Sequence, residues 1–321
     1  MIEPDATLDT RLANGRFVRV GGITDTGFVV RDGRIETDRD PDEAAWRSVD
    51  ASGFFVLPAL IQLGRPVGET ARAAAAAGVA TVIVTSDAPD LASLQREQEE
   101  LAVTAQLDYA VAWRVPGSPT SADIFGAIER GVCTFDFPSV ELARTCLPET
   151  DALTVRVPAQ SLRDDNPGSL PPTWLAVATT TDQTEANRLA STNEARCFIE
   201  LVLDEPNCNW AELATHSDRV IVSGGGDMLR SAFRSGVASN GVSPVAVARM
   251  TSMNAAQAFR LDGRKRGLEP RADADFVVFD PSATADSERR PGKVIFSMLR
   301  GEILLYNDEL HTAPGDGMRL P

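Results

Sequence analysis

Histidine is nearly missing from this 321-residue chain, which has only His216 and His311. Two imidazoles cannot supply a metal cage that needs three or four. Lysine is just as scarce: Lys265 and Lys293 are the only two among 31 basic residues. Basic charge is short overall, with 31 Lys and Arg against 46 Asp and Glu and a formal net charge of −15. That excludes a nucleic-acid surface, which needs a basic patch to neutralise phosphates. An acidic, arginine-biased composition fits a GC-rich genome, a salt-adapted cytoplasm, or both. No apolar run approaches the roughly 20 residues of a membrane span. The opening stretch from Met1 to Thr10 is polar and acidic rather than leader-like, so a cytoplasmic location is expected. Cys133, Cys146, Cys197 and Cys208 have no C-x-x-C spacing, and reduced, partly buried thiols are expected of them.

The apolar fraction is 43%, ordinary for a globular protein with a real core. Up to about Asp50 the pattern is one of short strands, Arg16–Val20 and Gly27–Arg31, with Gly21-Gly22 and Asp32-Gly33 as turn signals. From Phe54 apolar strands alternate with helical patterns. Strands are expected at Phe55–Leu63, Ala80–Thr85, Tyr109–Val115, Val132–Phe137, Leu153–Val157, Trp174–Thr179, Cys197–Leu203 and Arg219–Ser223. Between them helices are expected at Gly68–Ala77, Leu94–Gln106, Ser121–Arg130 with Ser121 as cap, Val140–Cys146, Gln183–Asn193 and Trp210–His216. Gly224-Gly225-Gly226 is expected to open a last helix running to about Ser235. Gln160–Pro172 has no helical period and marks a lost or vestigial helix.

These strands are near-continuous apolar runs, the mark of parallel strands covered on both faces. Eight strand–helix units in series predict an α/β fold, a shortened (β/α)8 TIM barrel over 55–262. Strand patterns return at Ala274–Asp280, Val294–Met298 and Glu302–Tyr306. Residues 1–54 and 263–310 are therefore expected to form the two parts of one small β-sandwich, with 311–321 as a loose tail.

Several runs resemble the dihydroorotases and hydantoinases of the amidohydrolase superfamily. Val56-Leu57-Pro58-Ala59-Leu60-Ile61 and Gly68 to Val82 are similar to that family's first barrel strand and helix. Met250 to Phe259 looks like its last barrel helix, and Gly267 to Pro281 like its returning β segment. Asn14-Gly15-Arg16 and Asp32-Gly33-Arg34-Ile35 match its N-terminal strands. The resemblance implies hydrolysis of a cyclic amide by one or two divalent ions, normally zinc. His-x-His on the first strand, Lys or Asp on the fourth, and His, His and Asp on the fifth, sixth and eighth would hold them. This chain has Gly64-Arg65-Pro66, Val155-Arg156-Val157-Pro158, Val177-Ala178-Thr179-Thr180 and Val222-Ser223-Gly224-Gly225 at those places, and only Asp136 on the fourth strand. Thr85-Ser86-Asp87-Ala88-Pro89 stands where relatives carry a Met-Pro-Asn-Thr-like run. No metal or other cofactor is therefore expected.

The site candidates follow from these positions. Asp136 is the one candidate catalytic group, as a substrate contact or general base; the alternative is a polar residue bound to a loop. Arg65, Arg114 and Arg156 either form a basic mouth for a carboxylate or pair with Asp136 and Asp87 as an ionic plug, the plug being favoured because unpaired buried charge is costly. Ser223, Gly224 and Gly225 either cradle an anion or make a tight turn, and Asp227 beside them disfavours an anion. Cys133, Trp113 and Trp174 are expected to be structural, and Glu97–Glu100 a solvated helix face. The resemblance with these departures implies a non-catalytic relative serving as a scaffold in pyrimidine biosynthesis, with aspartate transcarbamoylase or a second copy of itself as partner. A metal-independent C–N hydrolase using Asp136 and a small-ligand sensor in the old pocket are the alternatives.

Overall fold

The computed structural model describes residues 8–38, 40, 43–117, 119–148, 152–164, 171–192, 197–204, 208–224, 227–282 and 292–320. Six short strands open the chain: β1 (Leu8–Ala13), β2 (Arg16–Arg19), β3 (Gly22–Thr24), β4 (Phe28–Arg31), β5 (Arg34–Glu36) and β6 (Ala45–Asp50). Asp32 and Gly33 both take positive φ, which closes the β4–β5 hairpin where the Asp-Gly signal places it.

The expected strand over Phe55–Leu63 is two strands, β7 (Phe55–Pro58) and β8 (Leu60–Leu63). Pro58 has no N–H to continue a ladder, and Ala59 donates its N–H to the Asp275 carbonyl instead. β7 pairs with β2 and with β16 (Phe276–Asp280), so it belongs to the sheet of the chain ends. β8 begins the barrel.

The barrel continues through β9 (Val79–Ser86), β10 (Asp108–Arg114), β11 (Thr134–Asp136), β12 (Thr154–Pro158), β13 (Leu175–Thr180), β14 (Cys197–Leu203) and β15 (Val220–Gly224). All neighbours from β8 to β15 pair in parallel and in chain order. β15 lies back against β8, and the ring is nearly closed. Ile61, Ile83, Ala110, Val177, Phe198 and Ile221 fill its interior, with Phe259 and Leu320 packed among them. The fold is thus the (β/α)8 barrel the patterning predicts.

The helices show local corrections. Thr120, not Ser121, caps the helix Ser121–Glu129, because its hydroxyl accepts from the Asp123 N–H while Asp123 reaches back in a capping box. The helix after β15 starts at Met228, capped by Asp227, and runs on as a π-helix over Ala232–Ala238. Ser161–Asp164 is a single helical turn where a vestigial helix is expected, and 165–170 lie outside the described residues. Among the described residues no helix is long and apolar enough to cross a membrane.

β16, β17 (Lys293–Leu299), β18 (Glu302–Tyr306) and β19 (Glu309–Leu310) join β7, β2 and β3 in a seven-stranded sheet. It faces the four-stranded sheet β5-β4-β1-β6 across a core in which Phe28 packs edge-on against Phe17 and Phe276. Strands from both chain ends therefore build one sandwich.

The tail is not loose. Tyr109 donates its N–H to Met318, the Leu320 N–H returns to Tyr109, and Leu320 is buried against the interior of the barrel floor. It is held by a buried charge cluster. Lys265 Nζ lies 2.6 Å from Asp108 and 3.1 Å from Asp273, and also bonds Asp275. Arg264 pairs with Asp273, Arg300 with Asp108, and the Met318 N–H donates to Asp108 at 2.8 Å. Three carboxylates thus meet three cations, and each would be costly to bury alone. Replacing Lys265 by Met should cost about 3–5 kcal/mol, since it strands buried carboxylates. The other lysine, Lys293, pairs with Asp308 on the surface, and its replacement by Met should cost no more than about 1 kcal/mol. Denaturant unfolding of the two variants checks both figures.

Candidate functional site at the barrel mouth

Alternate residues of a barrel strand face inward. Near the C-terminal ends of the strands that parity turns Thr85, Asp136, Arg156, Glu200 and Ser223 into the interior, while Phe135, Val155, Ile199 and Val222 join the outer core. The inward five make one bonded cluster. Arg156, 5% exposed, donates from Nη1 to both Asp136 oxygens at 2.8 and 2.7 Å. Its Nε and Nη2 donate to Glu200 Oε2 at 3.2 and 2.9 Å. Thr85 Oγ1 is a weaker acceptor at 3.5 Å, and the Ser223 hydroxyl donates to Glu200 Oε1 at 2.8 Å. The guanidinium carbon stands 5.9 Å from the centre of the Phe259 ring beneath it.

The electrostatics follow from burial and pairing. Burial pushes the Asp136 carboxyl above the usual range; Arg156 opposes that rise and the Glu200 charge adds to it. Arg156 is held above the ordinary arginine value, because the Glu200 and Asp136 charges together outweigh the burial that disfavours its charge. Asp136 therefore favours the folded state in acid and loses that contribution as pH rises through its raised pKa.

Above the cluster opens a cleft of about 840 Å³. Asp136 and Arg156 form its floor, Thr179 and Thr180 one wall, and Phe137 and Arg114 another. Of the residues singled out by sequence, the plug joins only Arg156 to Asp136. Arg114 instead pairs with Asp87 at 2.6 Å on the rim, where both are well exposed. Arg65 pairs with Glu97 at 3.1 Å, away from Arg156. Both guanidinium groups are thereby held at exposed positions outside the Arg156 cluster.

Glu97 is no solvated face residue, since it also accepts the Ser86 hydroxyl. Ser223 belongs to the cluster through Glu200. Gly224 is a close-approach glycine rather than an anion cradle: its φ is +134°, and a Cβ there would fall on the Leu203 carbonyl oxygen. Gly225 lies outside the described residues. Asp227 accepts the Arg230 N–H and pairs with its guanidinium at 2.6 Å, which places negative charge at that helix start.

Glu200 is the residue the sequence reading missed. Its signal was a lone carboxylate inside the apolar run Phe198-Ile199-Glu200-Leu201, on the inward parity of the strand. Trp113 and Trp174 are buried, their indole N–H groups bonded to the Ala88 and Pro148 carbonyls. The Cys133 thiol is raised by burial and, like Cys197 at about 11, is unsuited to act as a thiolate.

The barrel's relatives are expected to carry a divalent ion at this mouth, and the donors present do not fit one. Both carboxylates are committed to the guanidinium. His216 sits in the turn leading into β15, at the opposite end of the barrel, and the His311 N–H bonds Leu304 in the tail. Asp108, Asp273 and Asp275 do converge, but around Lys265.

Residues 170–304 match the amidohydrolase family. Dihydropyrimidinase 1 of Caenorhabditis briggsae is 27% identical to this chain over 116 residues, which are 31% of this chain and 24% of that protein. The match thus spans about a quarter of that relative's length. Among solved structures, the dihydropyrimidinase of Brevibacillus agri superposes with a TM-score of 0.73 at 15% identity, covering 97% of this chain and 98% of that one. The L-hydantoinase of Arthrobacter aurescens gives 0.73 at 14% identity, covering 97% and 99%. The N-acyl-D-glutamate deacylase of Bordetella bronchiseptica, solved with zinc and a phosphonate inhibitor, gives 0.65 at 14% identity, covering 98% and 99%. The fold is therefore hydantoinase-like along nearly the whole chain.

Asp136 should titrate above the ordinary carboxylate range in carbon-detected NMR. Glu200→Gln should move that titration to lower pH, since it removes a repelling charge and leaves Arg156 to Asp136 alone. An Asp136 titration unmoved by that substitution would contradict the coupling.

Proposed function

We propose that this chain is an amidohydrolase relative that has given up metal-dependent hydrolysis of cyclic amides and keeps the cleft above Arg156 as a binding site. One observation carries this reading: the guanidinium of Arg156 is bonded to Asp136 and Glu200 at the centre of the mouth. Metal-assisted hydrolysis needs an ion that lowers the pKa of water from about 15.7 to about 7. An arginine has no open coordination position for water and stays protonated at any working pH. The cleft would still admit a cyclic amide or ureide, whose N–H and C=O groups match the carboxylate, hydroxyl and guanidinium groups along it. A scaffold role in pyrimidine synthesis beside aspartate transcarbamoylase, or self-association, would need no chemistry at this mouth.

A second reading has an observation in its favour. Asp136 borders the cleft and has a raised pKa, a combination suited to proton transfer without metal. Chelator-insensitive turnover abolished by Asp136→Asn would select it.

The test uses the purified full chain with dihydrouracil, hydantoin, dihydroorotate and allantoin, with chelator and with added zinc. We expect no turnover above background in either condition, and no co-purifying stoichiometric metal. A ring amide that binds should raise thermal stability, by about 2.7 kcal/mol at 100 times its Kd. Zinc-dependent hydrolysis of any of the four would overturn the proposal. Co-elution with a transcarbamoylase from the native lysate would support the scaffold role.

A further inference from the structure

A second cavity, of about 870 Å³, lies on the outer side of the barrel wall; among the described residues it shares only Leu63 with the cleft at the mouth. Its inner wall is the outer face of β8 and β9, and the helix Gly68–Ala76 stands opposite. Asp227 and Arg230 border it beside β15, and Asp280 and Lys293 border it from the ends of β16 and β17. Ile61 and Leu63 face the barrel interior, so Gln62 between them points outward, into this cavity. Gln62 is 6% exposed, and its Nε2 is buried with no hydrogen-bond partner among the described residues. We propose that this cavity is a second binding site for a neutral small molecule, which sets a carbonyl oxygen against the Gln62 amide and an apolar body against the alanine and valine side chains. The site stands apart from the cleft above Arg156 and does not depend on what that cleft does.

Four observations support it. First, a buried amide N–H without an acceptor is disfavoured, and a leucine would fill the same place without that cost. Second, the side chains around the amide are apolar. Val82 is the register neighbour of Gln62 on β9, and Ala73, Ala77 and Val79 line the same cavity. A buried water needs roughly two to four polar partners, and these side chains offer none. Third, the charged groups of the rim are already committed. Asp227 pairs with Arg230 at 2.6 Å, Lys293 with Asp308 at 2.6 Å and Arg65 with Glu97 at 3.1 Å, while Asp280 accepts the Ser282 N–H at 2.8 Å. The group left over is a neutral donor, which selects a neutral acceptor and not an ion. Fourth, the space is open where a side chain could stand. A Cβ added to Gly64 would meet only the Val82 side chain, at 3.7 Å. A volume of this size is that of a small-molecule pocket.

The probe is 1-indanone, a bicyclic ketone, compared with indane, which has the same carbon frame and no acceptor. Each is titrated into the nitrogen-15-labelled full chain and followed by the side-chain amide signals. The Gln62 pair is the one missing from Gln62→Leu. 1-Indanone should shift that pair saturably. Gln62→Leu should fold at least as stably as the native chain, since it removes an unpaired donor, and should bind 1-indanone about fivefold more weakly. Indane should bind the two proteins equally. Gly64→Leu, which fills the cavity from its inner wall, should abolish binding of the ketone.

Native protein whose Gln62 signals do not respond to 1-indanone overturns the proposal. So does equal binding of the ketone by native protein and Gln62→Leu, or undiminished binding by a folded Gly64→Leu. Should Gly64→Leu fold poorly, the comparison of native protein with Gln62→Leu decides by itself. These outcomes are separate from those of the hydrolysis test, which reads the mouth and not the outer wall.

Discussion

A guanidinium buried inside a barrel has to be neutralised where it sits, and Arg156 is neutralised from two sides. Asp136 and Glu200 are in the same position, because two covered carboxylates facing one guanidinium would repel each other without it. Each of the three is tolerable only because the others are there. Ser223 and Thr85 take up remaining hydrogen-bonding capacity, so the cluster is satisfied as a unit and not as separate pairs. Removing one member exposes the whole desolvation cost of the rest.

The same solution appears at the other end of the barrel. There Lys265 gathers Asp108, Asp273 and Asp275, and Arg264 and Arg300 complete the balance. Between the two clusters lie the apolar layers of the interior. The lower cluster ties β10, the returning segment, the β17–β18 turn and the tail to one another. The upper one ties β11, β12 and β14 and forms the floor of the cleft. A protein with almost no lysine thus places one of its two among three buried carboxylates.

The likeness to hydantoinases is one of architecture. One of the solved relatives carries zinc with a phosphonate inhibitor, whereas this chain presents a guanidinium fixed by two carboxylates. A mouth that needs positive charge can obtain it from a bound ion or from an arginine, but only the ion can carry an activated water. The cleft above presents carboxylate, guanidinium and threonine hydroxyl groups.

The architecture could be read from apolar runs because a parallel strand covered on both faces has no polar alternation to interrupt it; eight such runs in order admit few other folds. The ends could be read because turn glycines and β-branched runs act locally, as at Asp32-Gly33. The lack of an imidazole cage was legible too, since two histidines cannot make a cage of three or four however the chain folds. What folding alone decided was which charge meets which. Arg65, Arg114 and Arg156 look alike along the chain, yet the folded barrel pairs the first two with Glu97 and Asp87 at exposed positions and only the third with two covered carboxylates. Glu200 lies 44 residues from Arg156, and Lys265 lies 157 from Asp108. Pairings at that range depend on how strands stack around a ring, a property of the closed barrel that no local pattern encodes.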